Sequence, residues 1–149
     1  MKLFLRLSFV FIAAALLSGC SKFVVVVNDP VSGSWVLTDA SGKDANGWYS
    51  ITTGLENGVF DFYNDGTAMY SDNGVTMRGN WNVQLTVSGY YDGNGNYYSD
   101  SHQSMSINLA DGHGNSANIY FDDINVSGGT LTGTVYDGHT LERYRFNRY

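Results

Sequence analysis

One cysteine, one proline and three histidines stand in 149 residues, and each scarcity removes a class of protein. The single cysteine, Cys20, excludes an internal disulfide, a thiolate metal cluster and a cysteine nucleophile with its own framework. The histidines, His102, His113 and His139, each sit at or beside a loop signal. There is no His-x-His, no nucleophile elbow and no phosphate-binding glycine loop, so no metal, cofactor or catalytic group is expected. Strong helix formers are sparse beyond the first residues. No apolar run is long enough to span a bilayer as a permanent helix, since the longest, Phe9 to Leu17, is less than half the required length. Basic residues are few as well, eight against 14 acidic. That balance argues against nucleic acid and against electrostatic docking on anionic headgroups.

What is present begins with an address. Lys2 and Arg6 precede the short apolar core, and Leu17-Ser18-Gly19-Cys20 follows it. The order of charged, apolar and small residues is that of a secretory leader. With the cysteine directly after Gly19 it resembles the processing site of bacterial lipoproteins. The resemblance implies a signal peptide over 1–19 and a diacylglyceryl-modified Cys20, bearing chains such as palmitate, as the mature N-terminus. It also implies a membrane partner through that anchor, and Ser21 fits sorting to the outer membrane of the cell envelope. Two or more acyl chains hold a protein stably on a membrane. Lys2 and Arg6 would leave with the leader, so the mature formal charge is 6 minus 14, or −8. Residues 20–30 form a tether or edge segment in which Phe23-Val24-Val25-Val26-Val27 is an aggregation hazard if left bare. Pro30, lacking a backbone donor, ends it.

The domain over 31–149 is organised around Gly58 to Val83. Phe60 and Phe62 alternate on one face, an Asn-Asp-Gly turn follows, Ala68 and Tyr70 answer them, and an Asp-Asn-Gly turn leads to Gly79, Trp81 and Val83. Alternation with period two predicts half-buried strands, and such turn triplets tolerate the positive φ of tight hairpins. Leu85 and Val87 extend the third strand. Met105, Ile107 and Leu109 then alternate with polar residues, as do Ala117, Ile119 and Phe121. Gly128-Gly129 turns the chain into Leu131, Gly133 and Val135, and Asp137-Gly138 into a last strand through Tyr144 and Phe146. The pattern predicts an all-β meander of about eight to ten antiparallel strands. The polar stretch Asp39 to Asn57 reads as a long connection containing a short strand at Trp48 to Thr52.

Four pieces in order carry a further resemblance: Asp29 to Leu37 (Asp-Pro-Val-x-Gly-x-Trp-x-Leu), Phe60 to Thr67, Gly79 to Trp81, and Tyr144 to Arg148. Together they resemble the lipocalin-like domains of Bacteroidetes-type lipoproteins. This implies an up-and-down β-barrel whose first Trp closes the base beneath an arginine of the last strand. Gly33, Trp35 and Arg145 are the expected closure residues, Arg143 and Arg148 being the other arginines of that strand. It also implies a small apolar or amphipathic ligand inside the barrel, lined by Phe60, Phe62, Trp81, Met105, Ile107, Ile119, Phe121, Leu131 and Val135. Eight strands enclose a space that side chains alone can fill. Bulky inward residues favour such a closed core, whereas Gly79 and Gly133 favour some room.

The second reading is a closed-core interaction lipoprotein that takes an envelope protein or glycan on exposed aromatics. Trp48 and Tyr49 lie in the first long connection, and Tyr90, Tyr91, Tyr97 and Tyr98 flank an Asp-Gly-Asn-Gly-Asn turn. Paired across a hairpin, those tyrosines make either a binding patch or simple cross-strand support. Asp92, Asn94, Asn96 and Asp100 echo a calcium loop, but Tyr97 stands where Gly is wanted and Gln103 where Glu is wanted. A solvated turn is the simpler reading. Asp122 and Asp123, adjacent on a strand, point to opposite faces and do not make an acid pair.

Overall fold

The computed structural model describes residues 30–149. The expected leader, Cys20 and the Phe23–Val27 run lie outside the described residues. Twelve strands make up the described chain, with no helix among them: β1 Gly33–Asp44, β2 Gly47–Ser50, β3 Val59–Phe62, β4 Thr67–Asp72, β5 Val75–Val87, β6 Tyr90–Tyr91, β7 Tyr97–Tyr98, β8 Ser101–Ala110, β9 Ser116–Phe121, β10 Asp123–Ser127, β11 Thr130–Tyr136 and β12 Leu141–Arg148. Ten form one antiparallel sheet in the order β10-β11-β12-β1-β3-β4-β5-β8-β9, with β2 branching from β1, and β6 and β7 form a separate hairpin.

The central registers follow the alternation of the sequence. Phe60 pairs with Tyr70 and Phe62 with Ala68, and Tyr70 and Ala68 pair onward with Met77 and Gly79. Asn73 (φ 42°) and Gly74 (φ 89°) take consecutive left-handed conformations, which makes the β4–β5 turn tight and matches the twist of its strands. The sheet curls, because Phe121 on β9 reaches Phe146 on β12 with ring centroids 6.1 Å apart. Phe146 in turn meets Phe60 edge-on at 5.6 Å.

The sheet's two terminal strands are consecutive in the chain. Only Asp122 separates β9, paired to β8, from β10, paired to β11. Asp122 bonds through its amide to the Thr134 carbonyl and accepts the Tyr136 amide on its carboxylate. The stretch therefore leaves one edge and joins the other, and β10 lies alongside β8 without a ladder between them.

Two expectations need correction. The arginine over Trp35 is Arg148, not Arg145: its guanidinium carbon lies 4.6 Å from the indole centroid. The reason is register, since Trp35 pairs with Arg148 directly across β1 and β12, while Arg145 pairs with Asp39. Arg148 also donates to the carbonyls of Ser32 and Pro30, and a Cβ at Gly33 would strike its Nη1. Second, β1 continues to Asp44, where a loop was expected, because Asp39 to Lys43 pair with Arg145 to Leu141. Its Gly42 carries the Tyr49 ring of β2 over the space where a side chain would stand. β5 does run on through Leu85 and Val87, as the alternation predicts, and there the two side chains are 75% and 79% exposed. Thr67, the first residue of β4, lies opposite Asn80, so beyond it β5 has only β8 as a ladder partner.

Candidate functional site

The nine residues expected to line a barrel interior do converge. Phe60, Phe62, Trp81, Met105, Ile107, Phe121 and Leu131 are buried, and Ile119 and Val135 pack against them. They meet one another rather than a space. Phe60 touches Phe62, Tyr70 and Phe146 at centroid distances of 6.1, 4.8 and 5.6 Å, and Phe62 touches Trp81 at 5.5 Å. The room anticipated at two glycines is taken. The Phe121 ring lies 2.6 Å from where a Gly133 Cβ would be, and the Asn108 carbonyl blocks the same position at Gly79.

Open space lies instead outside this core, on both sides of the tyrosine hairpin. On β11, Leu131 and Gly133 face the core, so Thr132 and Thr134 face out; on β10, Ile124 faces in and Asp123 and Asn125 face out. The β6–β7 hairpin folds back across this outer surface. Thr134 donates to the Tyr91 carbonyl at 2.7 Å and Arg143 to the Gly93 carbonyl at 3.1 Å. The tip at Gly95, held at positive φ, rests against Lys43 and Leu141. The hairpin thus covers the seam where β8 and β10 run side by side unpaired.

Its four tyrosines divide the work. Tyr90 stacks on Tyr98 at 5.6 Å and on His102 at 4.1 Å, and Tyr91 meets Tyr97 at 5.3 Å and Tyr136 at 4.5 Å. Tyr90 and Tyr91 are the half-buried anchors, while Tyr97 and Tyr98 remain exposed. His102 and Ser104 point outward by strand parity yet are buried: Tyr90 of the hairpin stacks on His102, and Ser104 shares a hydrogen bond with Thr86 of β5. Sequence reasoning missed His102 as part of the site. The only signal available was its place one step out of phase with Met105, Ile107 and Leu109.

The turn between β6 and β7 is closed by Asp92. Its Oδ1 accepts the amides of Asn94 and Asn96, and its Oδ2 the Asn96 side chain. Desolvation opposes ionisation, but these bonds hold its carboxyl below the usual range. Asp111 does the same for His113 and Asn115 in the next turn. The calcium-like spacing is therefore that of a self-capped turn, and no cluster of three His, Asp or Glu suited to a metal occurs among the described residues.

A cavity of about 410 Å³ lies on one side of the hairpin, lined by Tyr90, Tyr98, Asn94, Asp123, Asn125 and Arg145 among others. A second, of about 300 Å³, lies on the other side against Tyr97, Tyr136 and Asp122. Asp122 and Asp123 border different cavities, Asp122 from the bend between β9 and β10 and Asp123 from the first position of β10. Burial pushes the Asp123 carboxyl up to about 6, with Asp92 and Asp100 adding and His102 opposing. Partial burial and the nearby Asp100 carboxylate push the Tyr90 hydroxyl up to about 12, so it remains a donor at ordinary pH.

Arg143 ties the two aromatic segments into one site. It lies 4.5 Å from the Trp48 ring centroid, donates to Gly93 and to the Ser41 hydroxyl, and pairs with Asp39 at 3.8 Å. Lys43 stands 5.6 Å from the same indole. Trp48, on β2, therefore borders the hairpin side, whereas Tyr49 turns to cover Gly42. Arg145 lies on the outer face in the larger cavity, away from Trp35. No protein-family model, curated protein or solved structure matches this chain.

Proposed function

We propose that this is a lipid-anchored cell-envelope protein of the outer membrane, held by Cys20, whose lipocalin-like barrel is a packed scaffold and which binds a glycan partner without catalysis. The barrel reading is supported by the order of the sheet: with β9 and β10 taken as one strand bent at Asp122, the β10-to-β9 path returns on itself as an eight-stranded meander. The observation that carries the function is where the space lies. Aromatic side chains fill the core, and the larger cavity is outside it, beside Tyr98 and the hairpin tip. A carrier of apolar cargo needs a dry interior; a protein with its interior occupied must bind on its surface.

The lining favours a sugar over an apolar peptide. Asn94, Asn125 and Thr132 offer amide and hydroxyl partners, and the Tyr98 ring offers a flat apolar face. Sugars present that same combination of hydroxyl edges and a C–H face. The volume suits about one or two sugar units, at the small end of ligand sites. Asp92 is saturated by its own turn and Asp123 and Asp122 do not share a cavity, so no pair of free carboxylates stands ready for hydrolysis. The test is binding of the detergent-purified protein to an immobilised panel of envelope and extracellular polysaccharides, with native mass spectrometry alongside. We expect Tyr98→Ala to reduce retention about tenfold and no apolar mass to be released on denaturation. A co-purified lipid, or retention indifferent to Tyr98, would refute the reading.

A further inference from the structure

We propose that the groove beside the hairpin selects acidic sugars, with Arg145 receiving a uronate carboxylate; this rests on the glycan reading above. The distribution of charge points there. Acidic residues outnumber basic ones 14 to eight in the chain. Arg143 and Arg145 line this one cavity together with Asp92 and Asp123, and Lys43 stands at the hairpin tip beside it. With Asp92 held by its own turn and Arg143 by Gly93, Ser41 and Asp39, Arg145 is the positive group of this lining left to meet an anion.

The two arginines are not equivalent. Arg143 is committed to Gly93, Ser41, Asp39 and the Trp48 face. It positions the hairpin against β12. Arg145 is exposed, lines the cavity, and makes no ion pair within 4.0 Å among the described residues. Its planar guanidinium is the group best matched to a carboxylate, which it can hold through two parallel N–H bonds. Thr132, its partner across β11 and β12, adds a hydroxyl at the same level. Asp123 faces the same cavity, so a singly charged sugar fits the local balance better than a highly charged phosphate. Tyr98 and Asn125 would take the ring face and a hydroxyl of the same unit.

The probes are polygalacturonate, alginate and hyaluronan, each paired with its carboxyl-reduced neutral form, against the detergent-purified full protein. At least one acid form should be preferred over its reduced form by about tenfold or more, falling as salt rises. Arg145→Gln should collapse that ratio to near one, Arg145→Lys should restore part of it, and Arg78→Gln, remote on β5, should keep it. Equal binding of acid and reduced forms, or a ratio that survives Arg145→Gln, overturns the acidic-sugar proposal and leaves glycan binding standing. Failure of every acid and neutral form, with circular dichroism showing folded protein, overturns both.

Discussion

Replacing Asp123 by Asn should stabilise the protein at neutral pH and do almost nothing in acid. Burial between the hairpin and β8 raises the Asp123 carboxyl from 3.8 to about 6, and Asp92 and Asp100 add to the effect while His102 opposes it. The folded state therefore holds this proton more tightly than the unfolded chain does. As pH rises from about 4 to about 6 the unfolded chain releases it first, so stability falls across that window and stays low above it. A shift of about two units corresponds to about 3 kcal/mol at most. Asp123 is only half buried beside an open cavity, and solvent screening brings the figure nearer 1.5 kcal/mol. For a domain of this size that is about 5 °C in melting temperature. Asparagine keeps the shape and carries no charge. Urea unfolding of both proteins from pH 3.5 to 8 gives the difference directly. It should be near zero at the acid end, grow through pH 4–6 and level off. A flat difference, or one that grows towards acid, would mean that Asp123 is not held against ionisation by its surroundings.

Gly133→Ala places a methyl group 2.6 Å from the Phe121 ring, which Phe146 and Tyr144 hold in place; a loss of about 1–3 kcal/mol in urea unfolding is expected. Arg148→Ala removes a cation over Trp35 and two bonds to carbonyls, costing about 1–3 kcal/mol by the same assay. The exposed Arg145→Ala, without those contacts, should stay within about 0.5 kcal/mol. Cys20→Ser should abolish palmitate labelling and move the protein from the membrane to the soluble fraction; unchanged fractionation would refute the anchor.

The meander was legible because its signals are local. Phe60 with Phe62, Met105 with Ile107, and the glycine-bearing turns each state their own strand or hairpin within a few residues. What escaped notice depends on contacts between residues far apart in the chain. Trp35 finds Arg148 rather than Arg145 because β1 and β12 pair in the register that sets Trp35 opposite Arg148, and no residue near either one states that register. β1 runs on through Gly42 because Tyr49 supplies the missing bulk from another strand. His102 reads as a loop residue until the hairpin, which leaves the sheet after β5 and returns over it, closes on its outward face.

The same non-local effect gives the tyrosine hairpin its meaning. Read alone, Tyr90, Tyr91, Tyr97 and Tyr98 could support a protruding ribbon and nothing more. The ribbon does not protrude, because Thr134 and Arg143 draw its carbonyls down onto β11 and β12. Two tyrosines then serve as anchors, which frees the other two to face solvent beside a cavity. Arg143 belongs to both arrangements, since the atom group that holds Gly93 also lies over Trp48. A chain that needed only to seal the seam between β8 and β10 could have done so with apolar side chains. The outer surface beneath the hairpin instead carries Asp123, Asn125, Thr132 and Arg145. Of these Asp123 and Thr132 are half-buried, and half-buried polar groups cost stability unless a ligand or solvent satisfies them. A ligand in the cavity, such as the glycan proposed above, would supply those partners.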